Sequence, residues 1–197
     1  MVLNQSRFKI DMAAAGAFVE RLRHALGLGD RHFNVCLVED DSIANLNREF
    51  RGKPQATDVL SFPWHDCESP APAVQLAQAV DATDLDGFLG DVVISVETAS
   101  RNAAVEGQAP GREIKWLIIH GLLHLLGADH ERDNGEMTAL EYDLRERLGF
   151  DSGAREVGRR QVGQKGRTRP RRSRKALRAL HRRTALDRCG TGEPDQA

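Results

Sequence analysis

The chain is poor in the residues that build secreted, cysteine-rich proteins. Its 197 residues include three cysteines, which are far apart in sequence and never arranged as Cys-x-x-Cys: Cys36, Cys67 and Cys189. This pattern argues against a disulfide scaffold and against a zinc site built on cysteine, because both need several cysteines at short, paired spacings. We therefore expect a reducing, cytoplasmic environment.

Long apolar runs are also missing. The longest apolar stretch, residues 116–126, is interrupted by His120, Gly121 and His124, and it is shorter than the about 18 uninterrupted residues that a transmembrane helix needs. The first residues, MVLNQSRFKID, contain no apolar segment of the kind that lies at the centre of a secretory signal. We expect no membrane-spanning helix, no export signal and no membrane partner.

The net charge is close to zero, but the two signs are separated along the chain. The formal net charge is −1; residues 1–150 carry 14 Lys and Arg against 24 Asp and Glu, a net of −10, whereas residues 151–197 carry 14 against 5, a net of +9. The length suits one globular domain with an appendage. We expect a folded acidic domain over residues 1–150 and a basic, disordered extension over residues 151–197.

The composition of the basic extension is compatible with three interpretations. The stretch REVGRRQVGQKGRTRPRRSRK has almost no apolar residues, so it cannot bury enough surface to offset the entropy lost on folding. It can be a solvated extension or an arm that binds nucleic-acid phosphates. It can also be the read-through of GC-rich sequence, which yields Arg, Gly, Ala and Pro.

Hydrophobic periodicity predicts a mixture of strands and helices within the first 150 residues. Apolar and β-branched runs predict strands at about 6–10, 32–38, 58–62 and 91–96. Stretches bounded by capping residues and glycines predict helices at about 12–26, 42–50, 97–106, 112–126 and 135–148, the last with Asp133 and Glu136 as a capping box. Residues 67–88 predict a surface loop. The order of elements predicts an α+β domain, a small mixed β-sheet packed with helices.

The segment HGLLHLLGADH, residues 120–130, predicts a metal site. His120 and His124 are four residues apart, which places both imidazoles on one face of a helix. Gly127 follows where a left-handed glycine can end that helix, and the chain reversal could bring His130 back as a third ligand. Three neutral imidazoles suit zinc, and they leave a fourth position open for water or substrate, which is typical of a catalytic site. Ligand type alone does not exclude copper, nickel or iron.

The histidine spacing is shared with the metzincin proteases, but a catalytic residue differs. Those enzymes carry Glu directly after the first histidine as the general base, whereas this chain has Gly121. A peptidase mechanism would therefore lack its main proton acceptor. The sequence predicts a zincin-like metal-binding helix with a different chemistry.

Three segments together resemble a known family. HGLLHLLGADH with Met137 and Glu141 downstream, LNREFRGKPQATDVLSFP at residues 46–63, and LGDVVIS at residues 89–95 are similar to the signature blocks of the YbeY-type rRNA maturation factors. The similarity covers about residues 30–150 in matching order. Phe50 stands where the family often has Tyr, and the basic extension is not part of the usual family pattern.

The resemblance implies a zinc-dependent endoribonuclease specific for single strands. It implies action on rRNA precursors at the 3′ end of 16S rRNA and in ribosome quality control, with the small ribosomal subunit and its proteins as partners. It assigns His120, His124 and His130 as ligands of one zinc ion per chain. It assigns Arg51 as the arginine that lines the cleft, where a guanidinium can hold a phosphodiester through two hydrogen bonds.

Several points stay open at the level of the sequence. Lys53 could help Arg51 to position phosphate, and Asp58 and Asp91 could cap turns or orient a ligand histidine. A domain with a net charge of −10 binds RNA poorly by itself, and 5% aromatic residues with a single tyrosine argue against an extended surface for base stacking. We therefore expect weak intrinsic sequence specificity.

Two other functions compete with the nuclease. The first is a non-catalytic ribosome assembly factor, in which zinc is structural and the cleft binds rRNA or a small-subunit protein. The second is a zinc peptidase, which Gly121 disfavours.

Overall fold

The computed structural model describes residues 1–64, 87–128, 133 and 135–150. Most of the predicted surface loop, the basic extension and His130 lie outside these residues, so the predicted domain boundary at residue 150 stays a prediction. Within the described part, no helix combines the length and the hydropathy needed to cross a membrane.

Four strands form one mixed sheet, which confirms the predicted fold class. They are β1 (Val2–Asn4), β2 (His32–Val38), β3 (Val59–Pro63) and β4 (Phe88–Ser95), in the order β1-β2-β4-β3. β1, β2 and β4 run parallel, and β3 pairs antiparallel with β4 at the edge. β4 is buried at every position after Phe88, because it lies between two strands and beneath helices.

The described part contains five helices around the sheet. They are α1 (Met12–Ala25), α2 (Asp40–Arg51), α3 (Val96–Val105), α4 (Pro110–Leu125) and α5 (Glu136–Arg147). Each begins and ends within a few residues of the predicted bounds. At α1 the reason is visible, because the Asp11 carboxylate accepts a hydrogen bond from the Ala14 N–H at 2.9 Å, as an N-cap residue does.

Helix α4 lies in the core, which explains why it is apolar on nearly all sides. It contacts β3, β4, α1, α3 and α5. Ile118, Leu122 and Leu123 on this helix are fully buried, and burial of each such side chain stabilises the fold by about 1.5–3 kcal/mol. The predicted metal-binding helix is therefore held by packing against both the sheet and other helices.

The strand predicted at residues 6–10 is wrong; the first strand is Val2–Asn4. The Asn4 side chain accepts hydrogen bonds from the Ser6 N–H at 3.0 Å and the Ser6 hydroxyl at 2.7 Å, and it donates to the Phe8 carbonyl at 2.8 Å. These local bonds turn the backbone, since Asn and Ser side chains compete with strand pairing for backbone groups.

Candidate metal centre

The two histidines of α4 meet on one face of the helix. The His120 Nε2 and His124 Nε2 atoms lie 3.1 Å apart, and the rings meet edge to face with centroids 4.6 Å apart. Both residues are partly exposed, whereas Ile119, Leu122 and Leu123 around them are buried. The helix thus brings two imidazoles to an accessible point on an otherwise apolar element.

The hydrogen bonds of the opposite ring nitrogens determine the tautomers of both histidines. His124 Nδ1 lies 2.9 Å from the Ala128 carbonyl oxygen, and a carbonyl only accepts, so Nδ1 carries the proton. His120 Nδ1 lies 2.6 Å from Glu141 Oε1 and donates to that carboxylate. In the neutral form each Nε2 therefore presents a lone pair.

Two lone pairs that face each other at 3.1 Å fit a bound cation. A cation between them offsets the repulsion of the two lone pairs, because in these tautomers neither Nε2 carries a proton. In a metal-bound histidine, the ring nitrogen that does not bind the metal usually donates its proton to a carboxylate or a carbonyl. The residues present therefore fit a metal ion whose ligands include these two imidazoles.

The third predicted ligand is not tested by this geometry. Among residues 1–64, 87–128, 133 and 135–150, no group of three or more His, Cys, Asp or Glu side chains is arranged to hold a metal, and His130 lies outside them. Cys36, on β2, is a poor ligand: burial and then the nearby Asp91 charge raise the pKa of its thiol to about 11, which keeps it protonated.

Glu141 is the residue whose role the sequence interpretation missed. It lies on α5, is 9% exposed, and reaches His120 across 21 residues of chain. The sequence contained a signal, because a glutamate on the apolar stripe of Met137 and Leu144 needs a buried partner.

The two aspartates considered for orienting a histidine make other contacts. Asp58 accepts hydrogen bonds from the Val59 N–H at 2.9 Å and the Thr57 hydroxyl at 3.1 Å, which caps the turn before β3. Asp91 accepts from the Asn34 amide at 3.0 Å, between two strands. Of the two roles left open for these aspartates, these contacts support the structural one.

Asp133 determines where α5 begins. Its two carboxylate oxygens accept hydrogen bonds from the Gly135 N–H at 2.9 Å and the Met137 N–H at 2.8 Å. The N-cap is Gly135, with φ of 96° and no side-chain cap of its own. The predicted capping box is therefore wrong, since Asp133 is not the N-cap residue; it accepts these bonds from two residues before the cap, and it fixes the start of the helix that carries Glu141.

Gly121 faces the sheet and has no room for a side chain. A Cβ atom there would lie 2.5 Å from Val92 Cγ1 and 3.2 Å from Ser61 Oγ, and the Ser61 hydroxyl donates to the Gly121 carbonyl at 3.1 Å. The position that holds the protease glutamate is thus the point where α4 touches β3 and β4. Packing as well as chemistry argues against a peptidase.

Arg51 is the last residue of α2, one residue beyond the predicted end of that helix at about residue 50. The helix continues through it because Gly52 adopts a left-handed conformation, with φ of 67°, and ends the helix one residue later. Asn47 then holds the chain that follows: its buried side chain donates to the Gln55 carbonyl at 2.7 Å. Arg51 is partly exposed on the segment that leads into β3.

Comparison with known proteins links this arrangement to one family. A family model described as Endoribonuclease YbeY matches residues 4–149. The chain is 37% identical over 152 residues to Endoribonuclease YbeY of Koribacter versatilis, covering 77% of this chain and 87% of that protein. It is 42% identical over 151 residues to the protein of that name from Anaeromyxobacter dehalogenans, covering 76% and 68%.

A plant protein and a solved structure are also similar. Endoribonuclease YBEY, chloroplastic, of Arabidopsis thaliana is 48% identical over 120 residues, covering 59% of this chain and 18% of that protein. The solution structure of a Thermotoga maritima protein is 27% identical with a TM-score of 0.50, covering 75% of this chain and 89% of that chain.

Proposed function

Because the chain belongs to the Endoribonuclease YbeY family, we propose that it uses one zinc ion to cut single-stranded RNA in ribosome maturation. Membership makes it an endoribonuclease, which is a hydrolase of phosphodiester bonds. The proposed substrate is the precursor at the 3′ end of 16S rRNA, in the cytoplasm. The same activity would serve ribosome quality control, with the small ribosomal subunit and its proteins as partners.

The observation that carries the proposal is the convergence of His120 Nε2 and His124 Nε2, 3.1 Å apart. These two residues would hold the metal, with His130 as the third ligand that the motif supplies. Zinc, when bound at such a site, supplies a Lewis acid that polarises a phosphodiester oxygen and makes water more acidic.

The protein's own groups prepare that site. Glu141 accepts the Nδ1 proton of His120 and the Ala128 carbonyl accepts that of His124, so both rings are oriented before a metal arrives. The charge of Glu141 also makes the His120 ring a stronger donor at Nε2. This preorganisation favours catalysis, because the ligands need not rearrange during the reaction.

Arg51 is proposed to bind the scissile phosphate. Its guanidinium is always charged, and it can hold two phosphate oxygens while negative charge builds on them. The left-handed Gly52 and the bond from Asn47 to Gln55 fix the chain around it. Lys53, next to this turn, could contribute a further positive charge.

The acidity of residues 1–150, with a net charge of −10, favours a substrate that is presented by a partner. Phosphate neutralisation normally supplies most of the affinity for RNA, and in this domain the 24 acidic residues outnumber the 14 basic ones. The ribosomal subunit would therefore select the RNA, while the site cuts what it receives.

Cleavage of a labelled single-stranded RNA that ends in a 16S-like 3′ precursor tests the proposal. We compare metal-free protein, zinc-restored protein and the Arg51→Ala variant, after checking that each is folded. Arg48→Ala is the matched control, because Arg48 lies on the same helix, is exposed, and bonds to its near neighbour Asn45 at 3.1 Å. We expect cleavage that requires zinc, falls at least 100-fold in Arg51→Ala, and persists in Arg48→Ala.

Other outcomes would contradict the proposal in distinct ways. Cleavage that ignores both zinc and Arg51 indicates a contaminating nuclease. Absence of cleavage by every sample, even with small ribosomal subunits added, favours the non-catalytic assembly factor. The product ends identify the nucleophile, since a 2′,3′-cyclic phosphate forms only when the substrate 2′-hydroxyl attacks.

A further inference from the structure

A second pair of side chains joins α4 to α5 one helical turn from the histidine site. Trp116 lies four residues before His120 on α4, and Arg145 lies four residues after Glu141 on α5. The Arg145 Cζ atom lies 3.1 Å from the centroid of the Trp116 ring. The pairs His120–Glu141 and Trp116–Arg145 are thus consecutive steps of one interhelical contact, about 6 Å apart along each helix.

Arg145 also holds an exposed aromatic ring. Its Cζ atom lies over the Tyr142 ring, 5.4 Å from the centroid. Arg145 is 7% exposed, whereas Tyr142 is 53% exposed. A buried cation, itself stacked on Trp116, therefore lies beside the only tyrosine of the chain. The exposed Tyr142 follows directly in sequence after Glu141, the residue of α5 that contacts His120.

This arrangement suits a stacking partner for a nucleobase. A cation near the ring face restrains the ring's orientation, so less side-chain entropy is lost when a second flat group stacks on it. Stacking of a base on an aromatic ring is tolerant of sequence, because every base has a π-face. A single ring of this kind agrees with the weak sequence specificity that the low aromatic content predicts.

We propose that Tyr142, held by Arg145 and Trp116, is a stacking subsite for one base of the single-stranded RNA that enters the histidine site. This inference rests on the proposed function, since it takes RNA as the occupant.

The surroundings of Tyr142 favour a base over other occupants. Its exposed neighbours on α5 include Glu146 and Asp143, and the Asp143 carboxylate is paired with Arg147 at 3.3 Å. The flat face of the ring therefore offers a contact to a base, whereas the Glu146 charge disfavours phosphate at this point. One ring among charged residues is also far smaller than a protein interface, which buries at least about 1,200 Å² in total.

Binding of a labelled RNA 12-mer to the full-length, zinc-loaded protein tests the proposal. The strand carries 2′-O-methyl groups, which block attack by the 2′-hydroxyl, and affinity is measured by fluorescence anisotropy. We expect Tyr142→Ala to raise Kd about tenfold, equivalent to about 1.4 kcal/mol, within the range measured for one stacked base. Tyr142→Phe keeps the ring and should retain most of the affinity. Val105→Ala, which removes another exposed apolar side chain (85% exposed), is the control.

Abasic strands separate stacking from other effects. A set of strands is made, each with one abasic residue at a different position. At one position the missing base should weaken binding to the wild-type protein about tenfold, and the same strand should bind the Tyr142→Ala protein as tightly as the intact strand does. Equal affinities of wild type and Tyr142→Ala, or a Tyr142→Ala loss that persists at every abasic position, would overturn the stacking subsite. If the wild-type protein cleaves RNA but no abasic position weakens its binding, the stacking subsite alone is overturned. If the wild-type protein neither binds nor cleaves RNA, the proposed function is overturned as well.

Discussion

The chemistry of the candidate centre depends on single atoms. His120 and His124 differ from ordinary surface histidines because each Nδ1 has a fixed acceptor, which leaves each Nε2 available as a ligand. Glu141 is the more consequential acceptor, since it is charged and comes from another helix. Gly121, the residue after His120 on α4, matters because its position has no room for a side chain.

Replacing Glu141 by Gln should weaken metal binding. The amide can still accept the Nδ1 proton of His120, but it lacks the charge that strengthens the ring as a donor. We expect zinc affinity to fall by about 10–100-fold, measured by competition with a chromogenic chelator. Glu146→Gln, an exposed change on the same helix, is the control; equal affinities in all three proteins would refute the role of Glu141.

Replacing Gly121 by Ala should destabilise the fold, although alanine favours helices. The added methyl group would lie 2.5 Å from Val92 Cγ1, and such overpacking costs about 1–3 kcal/mol. Gly16→Ala on α1 is the matched control: a Cβ there meets nothing within 4 Å, so the free energy of unfolding should rise by up to about 1 kcal/mol. Urea titration measures both, and a stabilised Gly121→Ala protein would contradict the close contact.

At the scale of elements, polar contacts join the helices at the carboxyl ends of the parallel strands. Asp40, in the first turn of α2, accepts hydrogen bonds from Ser95 at 2.5 Å and Thr98 at 2.7 Å and pairs with Arg101 at 2.8 Å. These contacts tie the start of α2 to the end of β4 and the start of α3. They hold the helix that ends at Arg51 against the strand that packs beneath the histidines.

This junction should make stability depend on pH. Burial alone would raise the pKa of Asp40, but hydrogen bonds from Ser95, Thr98 and Arg101, with the charge of Arg101, lower it below its usual value. A lowered native pKa means that the stabilisation is complete above the unfolded pKa of about 3.9 and is lost as the pH falls through the native value.

Asp40→Asn should therefore destabilise the protein more at pH 7 than at pH 3. Urea unfolding across that range measures the difference, and the acid decline of stability should become shallower in the variant. Asp41→Asn, an exposed neighbour in the same turn, is the control. Parallel stability curves for wild type and Asp40→Asn would show that the ionisation of Asp40 contributes nothing to the pH dependence of stability.

At the scale of the whole molecule, the two signs of charge are separated along the chain. Residues 1–150 carry a net charge of −10 and residues 151–197 a net charge of +9. The family match ends at residue 149, so the basic extension is an addition to the part that resembles the relatives.

Truncation after Asp151 should leave zinc content and unfolding unchanged but flatten the salt dependence of RNA binding. Each phosphate contact that is lost reduces the slope of log affinity against log salt by about 0.7 for a single strand. Binding titrations at four salt concentrations measure the slope. If truncation leaves the slope of log affinity against log salt unchanged, the extension is not an RNA-binding arm. The two other interpretations, a solvated extension and the read-through of GC-rich sequence, would then remain.

The sequence by itself determined those features that depend on neighbours along the chain. The helices and strands, apart from the strand at residues 6–10, follow from periodicity, caps and glycines. The histidine pair follows from a four-residue spacing, because residues i and i+4 meet on any helix. The family follows from three motifs in order.

Only the tertiary structure decided the contacts between distant segments. In the fold, Glu141 contacts His120, Gly121 packs against Val92 and Ser61, and α2 continues through Arg51. The spacing of residues along the chain does not indicate which face of a helix packs on which strand. The packing arrangement is determined by the whole core, because all elements together must bury their apolar surface at close-packed density. The helix that carries the histidine pair could therefore be predicted from the local pattern, whereas the group that orients its first histidine could be identified only in the packed fold.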